Sequence, residues 1–402
     1  MKNVAIINSC DWGSTGKIGF GLLNNFLAKG YNAHFYYGRG ADSDDNNLHK
    51  IDKTVEVYVH GAMAKLTGLQ GGYSYFATKR LIKSLQDKQI DTIFIISGHG
   101  FYLNETLFFD FVGKSNIRLV YTMIDEYAYL GACCNEMNCE KILTGNGRCP
   151  NIKKYPDSLF FDNCSKVIKR KMDSYKKLKN AVFVGPEFLV NNSKLSILGK
   201  YMKTAVLDEA IDLQLYCPRD TSQLKKRFGL CENQIVILCV APTNRELRGA
   251  SYFIDAVKAL SNIKKYVFIH IGYKFESIDG LPDNFIHIPF VEKDSDMAVF
   301  YSMADVLINP SVADAMSNTC LEALACGTPI VCFNISGMPY LMDRTVGKLI
   351  PPRDINSIVT SILETNKKTD DTIKICRKYA EKRFDNREYA NKLILIAESG
   401  QK

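Results

Sequence analysis

Short apolar runs recur along the chain, and the stretches between them have apolar positions that repeat every three to four residues. The runs are typical of buried parallel strands, and the intervening repeat is typical of amphipathic helices. The predicted strands are residues 4–7, 33–37, 93–96, 119–123, 181–184, 235–240, 266–271, 285–288, 306–308 and 329–333. Strands that alternate with helices over the whole chain predict an α/β protein with parallel sheets.

The pattern weakens in the middle of the chain. Residues 206–220, VLDEAIDLQLYCPRD, have little periodicity and contain a Cys-Pro pair, so the linker is expected near 205–217. A chain of 402 residues also favours two domains. We therefore predict two doubly wound, Rossmann-like domains, the first over 1–205 and the second over 206–380.

Composition places the chain among ordinary globular proteins, with 46% hydrophobic and 23% charged residues. It contains no run of about 18 apolar residues, and the opening Met-Lys-Asn-Val begins no apolar signal region. We therefore expect a cytoplasmic protein. The thirteen cysteines, including Cys239 and Cys332 in apolar runs, are expected to be buried thiols rather than a disulfide framework.

The net charge of +8 is concentrated in residues 165–180, SKVIKRKMDSYKKLKN. An anionic membrane surface attracts each such charge by about 1 kcal/mol. Two interpretations remain open, a solvated helix face or a contact with an anionic membrane or acceptor. Nucleic acid is not a predicted partner, because no aromatic or Arg-rich element accompanies the lysines.

A glycine-rich stretch follows the first predicted strand. Residues 8–20 read NSCDWGSTGKIGF, but the residue six before Lys17 is Asp11 and the next is Ile18, so this is not a nucleotide triphosphate P-loop. We expect a glycine turn from Gly13 to Lys17 between a strand and a helix. Its backbone N–H groups would face a ligand, unless the turn is purely structural.

Residues 304–333, ADVLINPSVADAMSNTCLEALACGTPIVCF, predict a strand, a loop and a helix that begins near Ser317. A helix N-terminus preceded by small residues can hold a diphosphate. Glu322 would accept hydrogen bonds from a sugar diol, and Asp314 would meet a second sugar. Alternatively, Asp314 is an exposed loop charge and Glu322 a helix-surface charge, although the apolar neighbours of Glu322 favour a specific partner.

The stretch from 310 to 339, PSVADAMSNTCLEALACGTPIVCFNISGMP, resembles the donor-site signature of retaining glycosyltransferases of family 4. In that signature two acidic residues are separated by seven others, as Asp314 and Glu322 are here. The resemblance extends to GSTGKI, to GHGFYLN at 98–104, to EAIDLQLYCP, and to Arg248-Gly249, where the family usually has Lys-Gly. It implies the GT-B fold, in which two Rossmann-like domains face each other across a cleft.

The resemblance implies that 1–205 binds the acceptor, that 206–380 binds the donor, and that 381–402 crosses back to the first domain. It implies a retaining hexosyltransferase that moves a sugar from a nucleotide-diphosphate sugar to a glycan hydroxyl. The acceptor would be polyprenyl-diphosphate-linked, at the inner face of the plasma membrane, in surface polysaccharide (O-antigen or lipopolysaccharide) biosynthesis. Two alternatives remain: a degenerate relative that binds nucleotide or partner proteins, and a nucleotide-sugar epimerase of the same fold.

Residue roles follow from the same resemblance. Arg248 matches the diphosphate-binding Lys, Arg245 is its companion cation, and Glu322 binds the ribose. Asp314 lies by the donor sugar, as a covalent nucleophile or beside a front-face reaction. The catalytic group is Asp314, Arg248 and Asp125; the donor group is Gly16, Arg245, Arg248, Ala315, Met316, Ser317, Asn318, Thr319 and Glu322; the acceptor side is Gly13, Ser14, Thr15, His99 and Glu126. No metal and no cofactor besides the donor are expected.

The chain departs from its relatives in two places. Ile124 stands where they have a His in T-L-H-D, which implies either contacts rearranged around Asp125, Glu126 or His99, or activity that is weak or absent. The insert GACCNEMNCEKILTGNGRCP follows. Its Cys133, Cys134, Cys139 and Cys149 would either hold a structural Zn²⁺ or belong to a lid with reduced thiols.

Overall fold

The computed structural model describes residues 2–135, 139, 141–150, 152–153, 156–242, 246–273 and 280–399. The chain divides into two compact units, an N-terminal unit (Met1–Glu209 with Arg387–Lys402) and a C-terminal unit (Ala210–Asn386). The sequence had placed the boundary at 205 and the returning segment from 381. Within the described ranges, no helix has the length and apolar character that crossing a membrane requires.

The N-terminal unit contains a seven-stranded sheet in the order β3-β2-β1-β4-β5-β6-β7. All of its strand pairs are parallel. The strands are β1 (Asn3–Cys10), β2 (Asn32–Arg39), β3 (Leu48–Lys50), β4 (Thr92–Ile95), β5 (Arg118–Thr122), β6 (Ala181–Gly185) and β7 (Thr204–Val206).

Helices connect these strands. They are α1 (Gly13–Ala28), α2 (Thr54–Thr67), α3 (Tyr75–Asp87), α4 (Glu105–Lys114), α5 (Lys141–Thr144), α6 (Cys164–Tyr175) and α7 (Glu187–Leu195). Short 3-10 helices lie at Glu126–Ala128 and Ile197–Tyr201.

The C-terminal unit contains a six-stranded parallel sheet in the order β10-β9-β8-β11-β12-β13. Its strands are β8 (Ile235–Val240), β9 (Tyr266–Ile271), β10 (Phe285–Ile288), β11 (Val306–Asn309), β12 (Ile330–Phe333) and β13 (Gly347–Ile350). Its helices are α8 (Ser222–Arg227), α9 (Ala250–Ala259), α10 (Asp294–Met303), α11 (Asn318–Ala325), α12 (Met338–Leu341), α13 (Ile355–Glu364) and α14 (Asp370–Arg383).

Both faces of this sheet are covered. Along β8, Val236 and Leu238 join one core cluster, whereas Ile237 and Cys239 join the cluster on the opposite face. A strand buried on both faces needs no polar alternation, which explains the unbroken apolar run IVILCV. The two parallel sheets confirm the prediction of two Rossmann-like α/β domains.

The last helix, α15 (Asn386–Ser399), returns to the N-terminal unit. Its Ala390 and Leu393 are fully buried in the cluster that also contains Leu22 and Phe26 of α1. The chain passes from one unit to the other at residues 209–210 and 386–387. Within the C-terminal unit, the segments beside these two points are hydrogen-bonded to each other. The N–H of Ile211 donates to the carbonyl of Phe384 at 2.9 Å, and Asn386 donates to Ile211 at 3.2 Å.

The strand order reverses between β1 and β4 in the first sheet, and between β8 and β11 in the second. Ligands of open α/β sheets bind beyond the carboxyl ends of the strands at such a switch point. Each sheet therefore has one switch point, at the loops that follow its two central strands.

The predicted glycine turn at Gly13–Lys17 is wrong in its local structure. Strand β1 continues to Cys10, three residues beyond the predicted end, and α1 begins at Gly13. Ser14, Thr15 and Gly16 therefore form the first helical turn. A Cβ on Gly16 would lie 2.5 Å from the carbonyl carbon of Asp11, so glycine allows the helix to approach the preceding turn.

Candidate functional site

Asn309, at the end of β11, organises the loop that follows that strand. Its side-chain amide donates to Ser317 Oγ at 2.7 Å and lies 3.0 Å from Cys320 Sγ, while its carbonyl oxygen accepts from the N–H of Ser311 at 3.0 Å. The loop is thus closed onto the start of α11. The sequence analysis missed Asn309, although an Asn-Pro pair at the end of an apolar strand was a visible signal.

The loop after β8 lies against the loop after β11. The Oγ of Ser311 donates to the carbonyl of Leu247 at 3.0 Å, and the N–H of Val312 donates to the same carbonyl at 2.9 Å. Gly249 has φ +68°, and a Cβ there would collide with the carbonyl oxygen of Pro310. Only glycine meets both conditions at this contact.

This contact brings two of the predicted residues together. Arg248 donates through Nη1 to Oδ2 of Asp314. The Arg248 side chain is 40% exposed and that of Asp314 is 12% exposed, so the ion pair has one face toward solvent. Arg245, its predicted companion cation, lies outside the described residues.

The predicted diphosphate loop leads into the N-terminus of α11. Met316 and Ser317 are buried, while Asn318 and Thr319 are partly exposed. The hydroxyl of Ser317 caps no described backbone N–H and is 2.9 Å from Thr319 Oγ1. The Oδ1 atom of Asn318 is shielded from solvent and accepts no hydrogen bond from any described residue.

The same loop is held from its other side. The N–H of Gly337 donates to the carbonyl of Asp314 at 2.9 Å, and a Cβ on Gly337 would collide with the carbonyl oxygen of Ala315. The tight backbone approach fixes the position of Ala315, three residues before the start of α11.

Glu322 lies one turn into α11 and is partly exposed. Its Oε2 accepts a hydrogen bond from the hydroxyl of Tyr301 at 2.8 Å. Burial, and then the charge of Glu322, raise the pKa of Tyr301 well above its ordinary value, so Tyr301 remains a donor. The hydroxyl of Tyr301 therefore fixes the orientation of the Glu322 carboxylate. Tyr301 gave no signal in the sequence, because its role depends on a contact across 21 residues.

The N-terminal unit brings His99 and Asp125 together. His99, in the loop after β4, has Nε2 2.6 Å from Oδ2 of Asp125, and both side chains are partly exposed. Oδ1 of Asp125 accepts from the N–H of Tyr127 at 2.9 Å. Burial alone would raise the pKa of Asp125, but the charge and hydrogen bond of His99 outweigh it and lower that pKa.

The first glycine stretch lies at the same edge of the sheet as His99. A Cβ on Gly100, which has φ +117°, would lie 2.6 Å from Cβ of Ser9 at the end of β1. The loops after β1 and β4 are therefore in contact. Thr15 Oγ1 accepts from the side chain of Asn8 at 3.1 Å, whereas Gly13 and Ser14 are exposed.

Glu126 and Ile124 face the interior more than the loop surface. Glu126 is 5% exposed, and its Oε1 accepts from the hydroxyl of Tyr129 at 2.9 Å. Ile124 packs against the apolar cluster that contains Val184 and Ala390. An isoleucine at this position thus contributes to the core, which a histidine would not do.

The basic segment 165–180 is not one continuous cationic face. Lys171 is 1% exposed, and its ammonium donates to the carbonyls of Tyr127, Leu130 and Gly131. Arg170 pairs with the buried Glu105, and Lys177 with Asp110. Lys171, Arg170 and Lys177 therefore make contacts within the N-terminal unit, whereas Lys166, Lys169, Lys176 and Lys179 are exposed.

Comparison with known structures identifies the fold. Anabaena HepE in complex with UDP superposes with a TM-score of 0.67 at 13% identity, over 99% of this chain and 100% of that chain. The lipopolysaccharide glycosyltransferase WaaG superposes with a TM-score of 0.60 at 14% identity, over 98% of this chain and 99% of that chain. The chain therefore has the fold of the GT-B glycosyltransferases.

Sequence similarity is concentrated in the C-terminal unit. Residues 234–367 match the family described as glycosyl transferases group 1. A 2-deoxystreptamine glucosyltransferase from Streptomyces kanamyceticus is 29% identical over 143 residues, which are 33% of this chain. The match covers 36% of that relative's length, so it concerns a part of each protein.

Proposed function

We propose that this chain is a glycosyltransferase that transfers a sugar, with retention of configuration, from a nucleotide-diphosphate sugar to a hydroxyl of a lipid-linked glycan. Surface polysaccharide biosynthesis is the proposed setting. The observation that carries the proposal is the contact between the Arg248 loop and the loop that begins α11, at the switch point of the second sheet. Cationic and N–H donors converge there, at the position where an α/β sheet binds its ligand.

In this proposal the diphosphate occupies the N-terminus of α11. Arg248 neutralises the charge that develops on the leaving group, and the N–H groups around Ser317 and Asn318 donate to its oxygens. The shielded Oδ1 of Asn318 gives the donor a hydrogen-bond acceptor. Glu322, oriented by Tyr301, accepts from the ribose hydroxyls. Because Arg248 and the helix N-terminus supply positive charge, this chemistry needs no metal ion.

Asp314 lies beside the reacting sugar in this arrangement. Its carboxylate accepts a hydrogen bond from Arg248. A carboxylate that is paired with a guanidinium in this way is a weaker nucleophile. We therefore propose front-face retention, in which the leaving phosphate accepts the proton of the acceptor hydroxyl. Asp314 then orients Arg248 and the donor sugar.

The acceptor side is proposed to lie at the His99 and Asp125 pair in the first unit. Asp125 is positioned to accept a hydrogen bond from the acceptor hydroxyl, and His99 and the N–H of Tyr127 hold its carboxylate in one orientation. Because Ile124 packs into the core, we assign the contact with the acceptor to His99 and Asp125.

A lipid-linked acceptor is supported by apolar side chains that face solvent. We call this set the α2 patch; its members are Val55, Tyr58, Val59, Met63, Leu66, Phe160 and Phe161. Tyr58 is 74% exposed and Phe160 is 69% exposed. The N–H of Leu159 donates to the carbonyl of Lys65 at 2.8 Å, which places the Phe160 loop beside the end of α2. Exposed aromatic residues near lysines are suited to an anionic lipid surface.

The donor is tested by a thermal-shift screen with UDP-, GDP- and ADP-sugars. A ligand at 100 times its dissociation constant stabilises by about 2.7 kcal/mol. The responsive donor is then incubated with and without lipid-linked glycans. Acceptor-dependent release of nucleoside diphosphate supports transfer. Binding without turnover supports a degenerate relative, and an altered sugar without acceptor supports an epimerase.

The lipid contact is tested by flotation with vesicles of anionic or zwitterionic lipid. The wild-type chain is expected to float with anionic vesicles, and a Tyr58→Ser/Phe160→Ser variant is expected to lose most of that binding. Phe290→Ser is the matched control, because Phe290 is 55% exposed but belongs to the C-terminal unit. Equal flotation of all three proteins would contradict the α2 patch.

A further inference from the structure

The four cysteines of the insert do not cluster in the way that the sequence suggests. Cys134 is separated from the other three cysteines, because its thiol lies with His99 and Asp125. Cys149 lies instead with Asp162 and Cys164, two residues from outside the insert, and Cys139 is not part of this group. The ligand atoms of Cys149, Asp162 and Cys164 all lie within 4.8 Å of one another.

Cys133 lies outside that mutual distance but lines the same small cavity. The cavity has a volume of about 20 Å³, and Cys133, Cys149, Asp162 and Cys164 are among its lining residues. That volume is comparable with the space of a single ion or water molecule. Cys133 and Cys164 are 6% and 4% exposed, so the site is closed to bulk solvent on that side.

We propose that Cys133, Cys149, Asp162 and Cys164 form a structural Zn²⁺ site in the N-terminal unit. Three sulfur atoms and one carboxylate oxygen would supply the four ligands of a tetrahedral site once the Cys133 thiol turns toward the other three, and thiolates favour zinc over magnesium or calcium. Tetrahedral zinc with sulfur ligands at about 2.3 Å separates neighbouring ligand atoms by about 3.8 Å. The ligand atoms of Cys149, Asp162 and Cys164, which lie within 4.8 Å of one another, need to approach by about 1 Å at most to reach that value.

The local structure prepares the site for a cation. Cys164 is the first residue of α6, where the helix dipole stabilises a thiolate. Asp162 already bridges the two ends of the segment, since it accepts from the N–H of Cys149 at 2.5 Å and from the N–H of Cys164 at 3.2 Å. Gly131 allows the close approach, because a Cβ there would collide with Cys164 Sγ.

Metal binding would also cross-link the insert to the start of α6. On binding, the three thiols release their protons to solvent and become ligands. Between residues 131 and 163 the described part contains one helix, the four-residue α5, so a cross-link would stabilise a segment with little secondary structure.

The first test is the metal content of the full-length chain, purified with a reducing agent and without chelators. Mass spectrometry of the metals is expected to find about one zinc per chain. Cys164→Ser and Cys133→Ser are expected to lose at least about 90% of it, whereas Cys134→Ser, a buried cysteine next in the sequence, is expected to keep it. Circular dichroism verifies that each variant is folded.

A second test does not depend on variants. Chelator-treated wild-type chain is titrated with Co²⁺ alone, and thiolate-to-cobalt charge-transfer absorption is expected to saturate at one equivalent. Chelation is also expected to increase proteolysis within residues 131–163 by about tenfold, reversed by added zinc. Absence of zinc and of cobalt absorption, zinc retained by both variants, or a Cys149–Cys164 disulfide under reducing conditions would each overturn the proposal.

Discussion

Arg248 and Asp314, on the loops that follow two adjacent central strands, form an ion pair at the switch point of the second sheet. The guanidinium of Arg248, to which the proposed function assigns a diphosphate, is therefore already paired with Asp314. The pair orients Arg248 before the donor binds, and the donor must compete with a carboxylate for it.

Replacing Arg248 with Ala is expected to weaken nucleoside diphosphate binding. Loss of a charge-assisted hydrogen bond costs about 1.5 to 3 kcal/mol, which raises Kd about 10- to 100-fold. Isothermal titration measures the change. Arg227→Ala is the control, because Arg227 is exposed at the end of α8 and should leave Kd unaltered. Equal affinities of the wild-type and Arg248→Ala chains would refute the assignment.

Asp314→Asn is expected to have opposite effects on binding and on turnover. Removing the negative charge should tighten nucleoside diphosphate binding by several-fold, because the ligand no longer competes with a carboxylate. The value of kcat should fall about 100-fold, since Arg248 and the donor sugar lose their orientation. Titration and steady-state kinetics measure the two effects. Weaker binding by Asp314→Asn would show that the ion pair assists the donor instead.

Glu322→Gln tests the ribose contact without a change in volume. We expect about tenfold weaker binding of a nucleoside diphosphate, because a charged acceptor is replaced by a neutral one. A 2′,3′-dideoxy nucleotide supplies the control. The wild-type chain should discriminate against it, and the Gln variant should bind both nucleotides alike. If the variant still discriminates as strongly as the wild type, another residue binds the ribose.

Gly249→Ala tests the contact between the two loops. The change combines a positive φ with a collision against Pro310, and we expect it to lower the free energy of unfolding by about 2 to 5 kcal/mol. Gly229 is the matched control, because it has φ +62° and no atom within 4 Å of an added Cβ. Gly229→Ala should cost about 1 kcal/mol. Urea unfolding measures both, and equal losses would argue against the close contact.

Asp52 should make stability depend on pH. Burial and the charge of Glu56 raise its pKa to about 8. Between about pH 4 and 8, the folded chain keeps the proton on Asp52, whereas the unfolded chain has released it. The contribution of Asp52 to the free energy of unfolding therefore falls as the pH rises through this range. Asp52→Asn should be more stable than wild type at pH 8, on the order of 3 kcal/mol, with little difference at pH 4.

Urea unfolding at pH 5 and pH 8 tests this directly. Asp87→Asn is the control, because Asp87 is exposed at the end of α3 and should show no such trend. A constant difference between Asp52→Asn and wild type across this range would contradict a raised pKa.

The central strands were predictable because they are buried and largely apolar, and β8 and β9 begin and end at the predicted residues. The edge strand β10 was also predicted with its observed bounds, because three of its four residues are apolar. The missed strands are β3, β7 and β13, which are three or four residues long and lie at sheet edges. Their residues are largely half-exposed, so burial imposes no pattern that the sequence could reveal.

Some residues of the candidate site could likewise be predicted from the sequence, and others could not. The signature at 310–322 locates the loop and the start of α11 from neighbouring residues alone. Tyr301 required a contact in space, since nothing local distinguishes it from an ordinary aromatic residue, whereas Asn309 had a local signal in the Asn-Pro pair that ends an apolar strand. Lys171 and Glu126 were misleading, because a charge in the sequence suggests the surface unless its buried partners are known.

Lys171 also gives the chain a built-in reporter. Amine-reactive labels attack unprotonated, accessible lysines, and its exposed neighbours Lys166 and Lys169 on α6 satisfy the second condition. Lys171 does not, because three carbonyls enclose its ammonium. Acylation at this one position would therefore mark molecules in which α6 has separated from the Tyr127 loop, and it would count them in a mixed population.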